Sequence, residues 1–279
     1  MDWSRTKTIF IIAFLLLNAF LLYQLIDKKN AGEINVRAQA TVKERLAEMN
    51  ITVTEELPED KSEISHIVGE PMDISTEVIT MVGEDNVHVL NNRFVEVTLD
   101  EPFPVNNPER DIDTFLSRFV WNEKGYVYSK WDSEDKQVFF HQTYKEHSVV
   151  TYDENQLVLF MNEDNEIESY IQSYLEFNEE GKEKDMLSPY KAIEVLLNDG
   201  IISFNDNVTK VRIGYYSLFK PEGEVQVFAP MYRIEVNEKS SYLVHAIDGS
   251  IQDSIGAEED KKEDISEKKT KADTQERTS

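Results

Sequence analysis

Proton transfer and metal ligation near neutral pH fall first to histidine, and the chain has five: His66, His88, His141, His147 and His245. None forms an H-E-x-x-H run or an i, i+4 pair, the spacings that set two imidazoles on one helix face. His141 and His147 flank "QTYKE" and could approach across a hairpin. Two imidazoles alone lack the third ligand of a zinc site, and solvated strand positions are the competing reading. Asp and Glu number 54, so carboxylate pairs arise by chance. "MNEDNEIE" has the acidic density of a calcium loop but lacks the D-x-[DN]-x-[DN]-G frame and its closing Glu. Its Asn and Asp residues suit a hairpin turn instead. There is no G-x-S-x-G elbow, no G-x-G-x-x-G and no Walker sequence. These residues predict no catalytic centre, no cofactor and no metal site.

One polar side chain stands where chemistry is least expected. Residues Ile9 to Ile26 are 18 positions without a charge, and Asn18 sits in their middle. As a helix the run spans about 27 Å, enough to cross a hydrocarbon core. A secretory signal peptide would have a shorter apolar run and a small-residue cleavage site, but "DKKNAGE" follows here. The segment reads as an uncleaved anchor, with Trp3 and Tyr23 suited to its two interfaces. Flanking positive charge is nearly balanced. The expected orientation, with residues 1–8 cytoplasmic and the chain after about residue 30 exported, rests on the absence of a second spanning run. Eight residues cannot form a signalling module, so a message crossing the membrane would need a partner there.

Three helices and many strands are predicted beyond the anchor. "AQATVKERLAEMN" sets Ala40, Val42, Leu46 and Met49 on roughly one side. "NPERDIDTFLSRFVW" carries Ile112, Phe115, Leu116 and Phe119 at helical spacing behind a proline. "LSPYKAIEVLLNDG" has Ser188 as N-cap, Pro189 at the first position and Gly200 as a stop. "QLVLFMNEDNEIESYIQSYLEFNEEG" reads as two strands about a turn at Glu163–Glu166, ended by a second turn at Gly181. "KVRIGYYSLF", "VQVFAPMYRIEV" and "SYLVHAIDGSIQ" read as three more, with Asp248-Gly249 as a turn and Pro230 needing an edge or a bulge. The fold class is α+β: antiparallel sheets with helices on one face, in two related lobes, 34–183 and 184–256.

The net charge is −25. The anchor segment 1–30 (+2) and residues 257–279 (−2) cancel, so all of it falls on residues 31–256. Such a surface repels phosphate backbones, which excludes nucleic acid as a partner, and its plain role is solubility. Residues 257–279 hold 14 charged side chains in 23 and no aromatic, the composition of a disordered tail. Without cysteine, export would not rely on disulfides.

The opening "MDWSRTKTIFIIAFLLLNAFLLYQL" resembles that of the YycI (WalI) family. "LSPYKAIEVLLNDGIISFNDNVTKVRIGYYSLF", "QVFAPMYRIEV" and "YLVHAIDGSI" are similar to that family's carboxy-terminal lobe, and the lobe also resembles PepSY-type domains. Tyr232 stands where PepSY-like sequences often carry Trp. The resemblance implies a membrane-anchored regulator of the WalK–WalR (YycG–YycF) two-component system of low-GC Gram-positive bacteria, which controls cell-wall genes. It further implies association with the transmembrane helices of the sensor kinase, together with a YycH-type companion.

On that implication the partner-binding face of the anchor would be Phe10, Ile11, Phe14, Asn18, Leu21, Leu22 and Leu25, all within helical reach of one another. Side-chain amides can bond across helices in lipid. The competing reading is an Asn bonded to its own backbone in a generic anchor. A different possibility is a ligand cleft for a wall-derived small molecule or peptide, lined by Tyr215, Tyr216, Phe219 and Tyr232. For these four, alternating strand positions filling a core is the competing reading.

Overall fold

The computed structural model describes residues 3–58, 63–90, 93–152, 155–217, 219 and 225–253, apart from the side chains of 3–6 and 25–39. The expected charged tail, residues 257–279, lies outside the described residues. The chain opens with a single helix, α1 (Trp3–Glu48), of 46 residues. At 1.5 Å per residue it is about 69 Å long. The sequence predicts an anchor and a separate helix beginning at Ala38, but the two are one. "DKKNAGEINVRAQ" holds no proline, and Gly32 costs only about 1 kcal/mol in a helix interior. That is too little to break a helix whose far end is fixed by packing.

The remaining elements are β1 (Thr52–Val53), β2 (Glu63–Met72), α2 (Ser75–Val82), β3 (Val87–Leu90), β4 (Phe94–Pro104), α3 (Pro108–Phe119), β5 (Tyr126–Asp132), β6 (Gln137–Tyr144) and β7 (His147–Val150). They continue as β8 (Leu157–Met161), β9 (Glu166–Gln172), β10 (Tyr174–Asp185), α4 (Pro189–Asn198), β11 (Asn207–Tyr216), β12 (Gln226–Val236), β13 (Ser240–His245) and β14 (Ile251–Asp253). The fold is α+β, as the sequence predicts. Its strands join in one sheet whose main path runs β10-β2-β12-β11-β7-β6-β8-β9-β4-β3. All pairings in it are antiparallel except β11 with β7 and β11 with β1.

Local chemistry accounts for the helix starts. At α3 the Asn107 side chain accepts the N–H of Arg110, and the Asp111 carboxylate accepts those of Asn106 and Asn107. At α4, Ser188 Oγ accepts the Lys191 N–H. Both caps satisfy N–H groups that the first helical turn leaves without partners. The helix α2 is not among the three expected. Its sequence, "STEVITMV", is rich in β-branched residues, and tertiary burial of Val78 overrides their weak helix propensity.

Two strand expectations change. The predicted second strand of "QLVLFMNEDNEIESYIQSYLEFNEEG" divides at Ser173 into β9, paired with β8 and β4, and β10, which leaves to pair with β2. Gly181, expected to end it, lies inside β10 at φ 81. There the register shifts between Glu180 and Lys184, so a positive-φ glycine makes a bulge and the strand continues. Pro230 occupies a central strand without disrupting it. On one side it sits opposite Tyr215. On the other, the partner of β12 changes from β2, ending at Phe228, to β13, beginning at Met231. A residue without an N–H fits that changeover, and its carbonyl accepts the Ala246 N–H at 2.8 Å.

Packing falls into two main cores. One joins Val42, Leu46 and Ile51 to Ala192, Ile193 and Leu196 of α4 and to Tyr232, Ile234 and Val244 of the sheet. The other packs Phe115 and Leu116 of α3, with Ile74 and Val78, on β4, β6, β8 and β9. A third cluster, including Ile67, Val149, Tyr215 and Phe228, lies where β2 and β7 meet β11 and β12. At that junction Gly214 faces Ser148, whose carbonyl oxygen would stand 2.9 Å from any added Cβ.

Candidate functional site

Residues 9–22 of α1 are apolar on every side apart from Asn18, and residues 7–24 form a helical stretch long enough to cross a membrane. None of that stretch is buried within the chain: Phe10 is 71% exposed and Phe14 66%. Successive residues turn by about 100°, so Phe10, Ile11, Phe14, Asn18, Leu21, Leu22 and Leu25 fall within an arc of about 120°, with Asn18 near its middle. Phe10, Ile11, Phe14 and Asn18 line one open groove on the helix, and Leu15 joins them. Leu15 is not among the seven residues expected from the sequence, although its i+4 relation to Ile11 places it on the same face. Leu21 and Leu22 continue the exposed surface, and the side chain of Leu25 lies outside the described residues. The Asn18 amide donates to the Phe14 carbonyl oxygen at 2.8 Å. That bond uses one amide hydrogen; the chemistry of the group leaves a second N–H and an acceptor oxygen for another helix.

The four aromatic residues of the second sequence hypothesis do not come together. Tyr215 and Tyr216 are adjacent on β11 and point to opposite faces, one packing by Tyr144 and the other beside Met231 and Leu243. Tyr232 is fully buried, its hydroxyl donating to the Leu187 carbonyl at 2.7 Å. Phe219 is 78% exposed. Three of the four fill cores, the role that strand alternation assigns them.

The histidines also part. His88 is exposed on β3. His147 lies edge-on to Tyr215. His141 is bonded through Nε2 to Ser129 Oγ at 2.8 Å, a pairing seen in nucleophilic centres. Here, however, burial and the nearby Arg233 guanidinium push the His141 pKa down to about 4. So weak a base hardly activates a hydroxyl. The pairing of His66 with His245 at 3.4 Å has no sequence signal, since 179 positions separate them. No group of three His, Asp or Glu among the described residues is placed to hold a metal. In "MNEDNEIE" the Asn162 side chain accepts the N–H groups of Asp164 and Glu166, and Asn165 is left-handed at φ 59. Those bonds are turn chemistry.

Buried glutamines stitch the sheet. Gln142 both donates to the Leu175 carbonyl and accepts its N–H, tying β6 to β10. Gln172 donates to the Trp121 carbonyl. A cavity of about 10 Å³ lined by Arg93, Thr151, Gln156, Ser173 and Gln226 among others has room for one water-sized molecule and nothing larger.

A family model described as YycI protein matches residues 29–247. The chain belongs to the YycI family. YycI proteins are regulators of the WalK (YycG) two-component system, and this chain is therefore a regulatory protein of that system with an apolar amino-terminal helix that fits a single-pass anchor. The YycI match begins just past the apolar run and covers nearly all of the sheet. Compared with curated proteins, the chain has no match. Among solved structures it is similar to an uncharacterized protein from Eubacterium rectale ATCC 33656, with a TM-score of 0.47 and 10% identity over 74% of this chain and 91% of that one.

Proposed function

We propose that this YycI protein acts on the sensor kinase through its anchor helix, and that the exported sheet performs no catalysis. Residues 9–26 cross the bilayer with the amino terminus cytoplasmic, and Phe10, Ile11, Phe14, Asn18, Leu21, Leu22 and Leu25 meet the kinase's transmembrane helices, with a YycH-type companion in the same complex. The observation that supports this reading is the contrast along one helix. Val42 and Leu46 are in the core, whereas the apolar side chains of residues 9–22 find no cover among the described residues. In lipid such a helix gains specificity from packing and polar contacts, and the Asn18 groove offers both. A bound regulator shifts a kinase only by binding its signalling states unequally.

The test replaces residues 9–26 with an unrelated apolar helix of equal length and measures kinase-dependent transcription and co-purification. The chimera is expected to reach the membrane, fold its sheet and lose both regulation and kinase capture. Full regulation by the chimera would move the function to the exported domain.

A further inference from the structure

We propose that His66 and His245 form a proton-controlled latch between β2 and the turn that follows β13. The two Nε2 atoms lie 3.4 Å apart with the rings tilted by 40°. The backbone decides which nitrogen carries which proton. Nδ1 of His245 accepts the N–H groups of Ile247 at 3.2 Å and Asp248 at 3.4 Å. A neutral imidazole that accepts at Nδ1 holds its hydrogen on Nε2. His245 Nε2–H therefore donates to Nε2 of His66, whose own hydrogen is then on Nδ1.

Both remaining lone pairs are in use. A second proton on His66 Nε2 would set two N–H groups face to face. A second proton on His245 Nδ1 would oppose the two backbone donors and turn the ring towards the Asp248 carboxylate, whose Oδ1 is 3.5 Å away. Either way one bond of the latch breaks. The charges around the pair are Lys184 and Glu180 on β10, with Glu180 opposite His66 in register, and Asp248 in the turn. Burial and Lys184 disfavour the cation, Asp248 favours it, and burial wins: both imidazoles titrate below the ordinary 6.5.

The sign follows. Unfolding releases two histidines that bind protons more readily than the folded pair. The latch's contribution is complete above pH about 6.5 and is lost as pH falls below it. Val244 and Ala246, which flank His245, pack in the core that holds Val42 and Leu46. An opened latch thus loosens the seat of α1. That last link rests on the anchor-based function above; the latch itself stands on its own hydrogen bonds.

The experiment uses the full chain in nanodiscs with EDTA present, comparing wild type with His66→Gln, whose amide oxygen accepts the same bond without titrating. Between pH 7.5 and 5.5 the wild-type Tm is expected to fall by about 2–4 °C more than that of the variant. Hydrogen exchange, corrected for intrinsic rates, should show lost protection at Ile247 and Asp248 in wild type as the pH falls. Equal Tm shifts, or unchanged protection at those amides, overturn the proposal. If His66→Gln does not fold, the wild-type exchange data decide alone. Zinc that raises the wild-type Tm in EDTA-free buffer, but not the variant's, would make the pair a metal clamp and also overturn it. None of these outcomes bears on the helix-swap result.

Discussion

The two ends of α1 obey opposite rules within one unbroken helix. Val42 and Leu46 are each 3% exposed and pack on α4, while Arg45 pairs with Glu194 at 2.8 Å. This is an amphipathic helix end: two apolar knobs inward, charges outward. Residues 9–22 have no such division: apart from Asn18 they are apolar on every side. The lesson is that burial inside the chain marks what holds the fold. Apolar surface left uncovered takes no part in holding it.

Substitutions can break that contrast. The largest effect is expected from Leu46→Ala, which leaves a cavity under the helix root and should cost about 2–5 kcal/mol in denaturant unfolding. Phe14→Ala should leave the unfolding midpoint of the sheet unchanged, and an equal loss from both would erase the distinction. Tyr232→Phe lies in the same core as Leu46 and removes the bond to the Leu187 carbonyl. A loss of about 1 kcal/mol is expected by the same assay. Asn18→Leu should not alter unfolding at all, but should weaken capture of the kinase's transmembrane helices by about 0.6 kcal/mol, near threefold, in a bilayer association assay. Unchanged capture would return Asn18 to its bond with Phe14 alone.

The smallest effect belongs to Glu194, which meets Lys191 at 2.5 Å and half-exposed Arg45 at 2.8 Å. The Lys191 bond, with both cations nearby, holds its carboxyl below the ordinary 4.5. Its contribution is present above that value and lost as pH falls through the folded pKa. Glu194→Gln should cost about 0.5 kcal/mol at pH 7, and the difference from wild type should vanish in acid.

Features written in adjacent residues were legible in the sequence. The caps at Asn107 and Ser188, the turn at Asn162–Asn165 and the stripe of α4 depend on neighbours only a few positions apart. The apolar run of α1 was legible because its signal is length. Features made by distant segments were not. The division at Ser173 exists because β2 recruits β10, and Pro230 fits because β12 exchanges partners beside it. The His66–His245 contact follows from the second of these, since β12 pairs first with β2 and then with β13. The junction of anchor and root into one helix was not legible, because the segment between them carries neither the apolar run of the anchor nor the stripe of the root.

That unbroken backbone has a geometric consequence. A helix fixed at one end by packing carries an angular phase along its whole length. The direction in which the Asn18 groove faces is therefore set by how many residues separate it from Leu46. Each residue added within 27–39 would turn the groove by about 100° and lift the sheet by about 1.5 Å. Seven added residues would come within about 20° of the starting direction. The helix thus serves as both a compass and a ruler for everything attached to it.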